Sequence, residues 1–313
     1  MNKNDGRYSI PLGLILVMVL SLWAPLATAG GTEAPEERNR HFPGSGMTIS
    51  LDGFVPNTGK PYILFEDDQA VYSATGFLKR SWWEDGSPGA QDSEDSQVSA
   101  RNARSCTRIQ EGDTSTVPGY GGGTVGVTAE RVTNSVAFMV QDGYTLSSTV
   151  LSNWASDWDN TIYPILTTYF GKDYGNGPEA PDVDGNCQIE VAIINMDGQY
   201  NIGGYFAPSL SSSREIVFVD YADASLGWSK VILAHELQHL LHNAADSQEN
   251  LWIDEGAADM AAYLCFGASS TLTGHSNAWT EDSGTSIRWW NQRISDYGGG
   301  FLFLLWMADH LGG

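Results

Sequence analysis

The segment H-E-L-Q-H at positions 235–239 constrains this chain more than any other feature. Residues four apart lie on one face of a helix, so His235 and His239 can bind one metal ion while Glu236 lies beside it. Apolar residues nearly encircle the axis between positions 228 and 244, as in a helix buried inside a domain. The segment therefore predicts a buried metal-binding helix.

A third ligand is predicted further along the chain. A catalytic zinc takes three protein ligands and leaves one position for water, and a carboxylate is an established third ligand. Glu255, in W-I-D-E-G, is predicted to be that ligand on a second helix over 255–264. Asp259 follows one turn later and is predicted to orient a zinc-bound histidine. His242 is the alternative ligand, but the three-histidine motif requires glycine there and a later histidine.

Four further segments carry a resemblance to a known protein family. They are D-V-D-G-N at 182–186, N-I-G-G-Y-F-A-P at 201–208, R-E-I-V-F-V-D at 214–220 and D-Y-G-G-G-F-L-F-L-L-W at 296–306. Together with H-E-L-Q-H and W-I-D-E-G-A-A, their order resembles the hyicolysin-type secreted zinc metallopeptidases, a branch of the thermolysin-like gluzincins. The resemblance covers about residue 146 to the C-terminus and is most specific at the zinc motif.

This resemblance implies an α+β zincin fold, in which a mixed-sheet lobe carrying the active-site helix is followed by a helical lobe. It implies one zinc ion bound by His235, His239 and Glu255, with Glu236 as the general base and Asp259 as the orienting carboxylate. The expected function is a zinc-dependent endopeptidase acting on protein or peptide substrates. The alternatives are a catalytically silent secreted binding or adhesion protein on the same scaffold, and a metal-dependent hydrolase of a non-peptide bond.

The family also places a histidine or tyrosine of the C-terminal lobe near the developing oxyanion. Tyr297, His275 and His310 are the candidates, and Tyr297 is preferred because it could project from the start of a helix predicted over 299–310. The alternative for Tyr297 is a capping or core tyrosine. An edge strand that pairs with extended substrate is expected between residues 201 and 220. Family members usually continue beyond this point, so the expected alternatives are a chain truncated at its C-terminus and one that lacks late elements of the family.

A second metal site is suggested by Asp182, Asp184 and Asn186, whose alternate oxygen-bearing side chains resemble the start of a calcium loop. The match then fails, because Cys187 stands where such a loop has glycine and Ile193 stands where it has glutamate. The alternative is an acidic turn that leads into a strand. Calcium is therefore a candidate cofactor beside zinc.

Residues 1–29 have the pattern of a secretory signal peptide. A basic start precedes an apolar run over residues 10–22, and A-T-A at 27–29 is a small-residue cleavage site. An uncleaved anchor is the alternative. We expect a secreted, extracellular protein without stable membrane association.

The mature chain is predicted to divide into a β-rich N-terminal region with flexible stretches, 30–142, and a catalytic domain, 143–313. A helix is predicted over 146–170, which Pro164 kinks or divides. G-G-G-T-V-G at 121–126 matches a dinucleotide motif only formally, because strand-like residues follow it, and it indicates a turn.

Charge and cysteine content narrow the function further. A formal charge of −22 opposes binding to nucleic acid and to anionic lipid. Three cysteines cannot all pair within one chain, and the sequence leaves open which two, if any, form a disulfide.

Overall fold

The computed structural model describes Tyr72, Ser73, Thr75, Lys79 and residues 106–171, 182–198, 202–284 and 286–311. The predicted signal peptide and most of the predicted N-terminal region lie outside these residues. Within the described part, no helix is long and apolar enough to cross a membrane.

The described strands form one mixed sheet of seven strands. They are β1 (Tyr72–Ser73), β2 (Thr114–Pro118), β3 (Thr124–Val132), β4 (Val136–Gln141), β5 (Ile189–Ile194), β6 (Ile202–Phe206) and β7 (Ile216–Asp220). Their order across the sheet is β1-β6-β7-β5-β4-β3-β2. Strands β4, β5 and β7 run parallel, whereas β6 and β7, β3 and β4, and β2 and β3 pair antiparallel. Every residue of β5 and β7 is buried, as expected for strands covered on both faces.

The described part also contains six α-helices. They are α1 (Ser148–Asp157), α2 (Tyr163–Phe170), α3 (Ser229–Ala245), α4 (Leu251–Phe266), α5 (Ser270–Glu281) and α6 (Ile294–Leu311). A π-helical turn, Trp158–Ile162, separates α1 from α2, and Pro164 lies in the first turn of α2, where its missing N–H does least harm. The predicted division of this helix is therefore confirmed, and so is the predicted α+β class.

Helix α3 is fixed by packing against one face of the sheet. Leu233 and Leu237 of α3 and Phe138, Val191 and Val217 of the sheet belong to the same hydrophobic core and are all 0 % exposed. Close packing of this kind restricts side-chain movement. The polar side chains of α3 are consequently held in defined positions.

Helices α4 and α6 cross with their backbones in contact. A Cβ atom on Gly256 would lie 2.6 Å from the carbonyl carbon of Gly300, and one on Gly300 would lie 2.4 Å from the carbonyl oxygen of Trp252. Only glycine permits so close an approach. The crossing brings the second turn of α6 against the helix that carries Glu255.

Strand β6 lies where the substrate-pairing edge strand was expected, but its outer side is not free. Tyr72 pairs with Ile202 and Ser73 pairs with Gly204 in a parallel arrangement. Within the described residues, β1 rather than β6 is therefore the outermost strand.

The ranges 30–142 and 143–313 share this sheet, because β4 pairs with β5 along five residue pairs. A disulfide joins Cys106 to Cys187, whereas Cys265 is a free thiol. The disulfide attaches the segment before β2 to the loop before β5.

Candidate metal centre

Helix α3 places His235, Glu236 and His239 in the interior of the protein. Their exposed fractions are 4 %, 0 % and 0 %. Apolar residues surround them, and the helical spacing aligns the two histidines one turn apart. The two imidazoles and the Glu236 carboxylate therefore lie in low-dielectric surroundings.

Glu255 of α4 completes a triangle with the two histidines. His235 Nε2 and His239 Nε2 are 3.1 Å apart, and each lies 3.2 Å from Glu255 Oε2. Tetrahedral zinc about 2.0 Å from its ligands places them about 3.3 Å apart. The three atoms thus have the spacing of one metal site. They belong to the three residues that the sequence predicts as ligands.

Two further carboxylates lie beside the imidazoles. His235 Nδ1 lies 3.0 Å from Asp259 Oδ1, and His239 Nδ1 lies 3.1 Å from Asp254 Oδ2. The hydrogen bond to Asp259 favours a proton on His235 Nδ1, and the negative charge of Asp254 favours one on His239 Nδ1. In the neutral rings each Nε2 then offers its lone pair to a metal ion. Two nitrogen lone pairs and a carboxylate oxygen then converge, an arrangement that a cation stabilises.

The electrostatics of the site favour positive charge. Burial alone would lower the pKa of both histidines, but Asp259 and Glu255 raise the pKa of His235 well above its ordinary value. Asp254 and Glu255 likewise raise the pKa of His239 to about 9. Burial would raise the pKa of Glu255, but the two histidines lower it. A divalent metal ion would compete with protons for the histidine nitrogens, because a histidine must lose its added proton to bind a metal.

Glu236 lies beside the triangle without belonging to it. Its Oε2 accepts a hydrogen bond of 2.9 Å from the Thr75 hydroxyl, while its Oε1 has no hydrogen-bond partner among the described residues. Burial raises the pKa of Glu236, His235 and His239 oppose the rise, and Glu255 adds to it. A carboxylate with a raised pKa is a stronger base.

Asp254 is a residue of this site that the sequence reasoning missed. It lies between Lys79, whose Nζ is 2.7 Å from Asp254 Oδ2, and His239. His242 Nδ1 lies 3.1 Å from Asp254 Oδ1, so His242 belongs to this outer layer and not to the ligand triangle. The only local signal for Asp254 was its place immediately before Glu255.

The three candidates for an oxyanion donor occupy different places. Tyr297 is 2 % exposed, its ring centroid lies 6.3 Å from that of His235, and its hydroxyl donates a 2.8 Å hydrogen bond to the carbonyl oxygen of Ser73. His275 Nδ1 lies 2.7 Å from Asp259 Oδ2. His310 is exposed, thirteen residues after Tyr297 and so about 20 Å further along α6. Tyr297 and His275 therefore border the site, and His310 does not.

A cavity of about 740 Å³ opens beside Tyr297. Tyr205 of β6, Trp290 and the turn at 119–122 line it, and Ser73 borders it. The turn is the one predicted from the glycine-rich segment, since it joins β2 to β3. The cavity is large enough for several side chains of a peptide.

The residues predicted for calcium lie away from α3, in the loop before β5. The structure gathers Asp182 and Asp184 with Glu215, which immediately precedes β7. Asn186 instead braces the loop, because its side chain donates to Asp184 Oδ2 and accepts from the backbone N–H of Gln188.

Comparison with known proteins adds no assignment. Neither a scan against protein-family models nor a search of curated proteins gives a match.

Proposed function

We propose that this chain is a zinc-dependent endopeptidase with a gluzincin-type site and a zincin fold. The observation that carries the proposal is the triangle of His235 Nε2, His239 Nε2 and Glu255 Oε2, with sides of 3.1–3.2 Å. Two imidazoles and one carboxylate form an established ligand set of catalytic zinc. Bound zinc supplies Lewis acidity, which polarises a carbonyl and acidifies water.

Glu236 acts as the general base in this proposal. Its free Oε1 accepts a proton from the attacking water as the water oxygen bonds to the carbonyl carbon of the substrate. Glu236 then gives that proton to the amide nitrogen as the C–N bond breaks, so that a carboxylic acid and an amine leave. The raised pKa of Glu236 suits both steps, because the group must gain and lose a proton near neutral pH.

Tyr297 donates a hydrogen bond to the carbonyl oxygen of the substrate. Burial, together with Glu255, Asp259 and Glu236, raises its pKa well above the ordinary value, which keeps the phenol protonated as a donor. Its hydrogen bond to the Ser73 carbonyl supports this role, because the acceptor is a peptide carbonyl beside the metal centre.

An extended peptide is the substrate class that fits best. Strand β6 borders the centre, and its pairing with Tyr72–Ser73 is evidence that its outer side accepts a backbone partner. The cavity beside Tyr297 would then receive side chains of the peptide. The predicted signal peptide would bring such an enzyme to proteins outside the cell.

Metal analysis combined with a peptidase assay tests the proposal. We expect about one zinc ion per purified chain, lost in His239→Ala. We expect Glu236→Gln to retain zinc while casein cleavage falls by about 10²-fold or more. A chelator should abolish the cleavage by wild type, and added zinc should restore it.

Each outcome separates the alternatives. Unchanged zinc content in His239→Ala would contradict the ligand assignment. A zinc-loaded wild type without hydrolysis of any peptide would favour the silent binding protein. Normal turnover by Glu236→Gln would remove Glu236 from the reaction.

A further inference from the structure

We infer that Asp182, Asp184 and Glu215 form a structural calcium site that is independent of the proposed zinc centre. Each residue contributes a carboxylate oxygen, and these oxygens all lie within 4.8 Å of one another. Calcium binds oxygen ligands at about 2.4 Å, so ligands on opposite sides of the ion lie about 4.8 Å apart. The cluster therefore has the size of one calcium site.

The loop shares turn features with calcium loops. Asp182 Oδ1 accepts from the backbone N–H of Cys187 at 3.0 Å, and Asp184 Oδ1 accepts from that of Asn186 at 3.1 Å. Cys187 takes the left-handed conformation with φ of 63°, which glycine provides at this position in calcium loops. The presence of Cys187 in place of glycine therefore does not argue against a calcium loop, because Cys187 adopts the left-handed conformation that glycine would have.

Glu215 supplies the carboxylate that the loop itself lacks. The calcium-binding hand has a glutamate where this chain has Ile193, but Ile193 is part of the buried strand β5. Strand β7 is the parallel neighbour of β5. Glu215, immediately before β7, accepts at Oε1 a 2.6 Å hydrogen bond from the backbone N–H of Val183 in the loop. The missing ligand therefore comes from the adjacent strand.

The second oxygen of Glu215 is the independent evidence for a ligand. Glu215 is 3 % exposed, and its Oε2 has no hydrogen-bond partner among the described residues. A buried carboxylate oxygen without a donor is costly unless a cation compensates it. Burial raises the pKa of Glu215, and the negative charges of Asp184 and Asp182 raise it further.

Arg214, the residue before Glu215, directs its side chain elsewhere. Arg214 directs its guanidinium at both carboxylate oxygens of Glu190 and at the carbonyl oxygen of Thr116. Three carboxylates thus converge while the adjacent guanidinium serves another partner. Carboxylate oxygens without nitrogen or sulfur ligands favour calcium over zinc.

Calcium at this site would connect the loop after residue 181 to the start of β7. We therefore expect it to stabilise the fold and not to take part in hydrolysis. Such a site is tested by binding and unfolding, so its failure is distinguishable from failure of the proposed function.

The test uses the full chain carrying Glu236→Gln, so that no readout depends on hydrolysis. Calorimetric titration with calcium chloride, with the zinc content held constant, should reveal one site. At a calcium concentration 100 times the Kd, the melting temperature should rise by about 5–10 °C. The same concentration of magnesium should raise it much less, because magnesium demands shorter bonds and octahedral geometry.

Glu215→Gln is the deciding variant. Its amide oxygen can still accept from Val183, so the loop contact survives while one ligand charge is lost. We expect calcium affinity to fall at least 10-fold, whereas the exposed control Asp309→Asn should bind like the parent. If Glu215→Gln does not fold, Asp184→Asn provides the same test. Equal calcium affinity in parent and ligand variant, or equal responses to calcium and magnesium, would overturn the inference.

Discussion

Replacing Lys79 with methionine is expected to lower the free energy of unfolding substantially. Lys79 Nζ lies 2.7 Å from Asp254 Oδ2, and both side chains are 0 % exposed. Removing one partner of a buried ion pair costs about 3–5 kcal/mol, because the remaining charge stays buried without compensation. His239 and His242 remain 3.1 Å from Asp254, so we expect the lower end of that range, about 3 kcal/mol.

The loss should also depend on pH. Burial would raise the pKa of Asp254, but Lys79 and His239 lower it well below its ordinary value. A group whose folded pKa is lowered adds stability above its unfolded pKa, about 3.9 for aspartate, and that stability disappears as the pH falls through the folded pKa. Without Lys79 the folded pKa rises. The difference between wild type and variant should therefore be largest near neutral pH and should shrink in acid.

Denaturant unfolding at pH 7 and at pH 3 measures this difference. Zinc is first removed from wild type and from Lys79→Met with a chelator. A change at His239 then cannot affect stability through the affinity for metal. Lys230→Met is the control, because the Lys230–Asp157 pair is 3.6 Å long with side chains 38 % and 32 % exposed, and its loss should cost under about 1 kcal/mol. A cost for Lys79→Met no larger than that of this control would refute the reasoning.

Three other predictions have defined outcomes. Asp259→Asn should weaken zinc affinity by about 10–100-fold in a chelator competition, because Asp259 orients His235, while an unchanged affinity would remove that role. Gly300→Ala should lower stability by about 1–2 kcal/mol, since a contact of 2.4 Å with a backbone oxygen outweighs the helix propensity of alanine. Gly227→Ala is the control, because open space surrounds its new methyl group, and it should lose little stability. Thermal scans of both variants and of wild type measure the difference. Burial raises the pKa of Cys265 to about 12, so iodoacetamide should modify it about 10³-fold more slowly at pH 8 than in the unfolded chain, and equal rates would contradict this.

The ligand triangle was accessible from sequence because two ligands lie in one helix and the third lies in the helix that follows. His235 and His239 are one helical turn apart, and the apolar residues around them are enough to identify a buried helix. Helix boundaries were less accessible. Helix α6 begins at Ile294, five residues before the predicted start, because the glycines at 298–300 resemble a break yet allow a close helix crossing.

The remaining contacts depend on chain segments far apart in sequence. Thr75 and Glu236 are 161 residues apart, and Lys79 and Asp254 are 175 apart. No periodicity within one segment encodes such a pair, because it arises only when the sheet and helices pack. Glu215 was missed for the same reason, since its partners precede a different strand.

The pairing of β1 with β6 determines how readily the proposed enzyme would bind a peptide. Tyr72 and Ser73 already use the outer side of β6, and Thr75 contacts Glu236, so an extended peptide must replace this segment to reach the same backbone groups. The peptide then binds only the fraction of molecules in which β6 is open. An open population of about 1 % would make every peptide appear about 100-fold weaker than its contacts alone imply. Affinity measured on the whole chain would accordingly report two equilibria, the release of an internal strand and the binding of an external one.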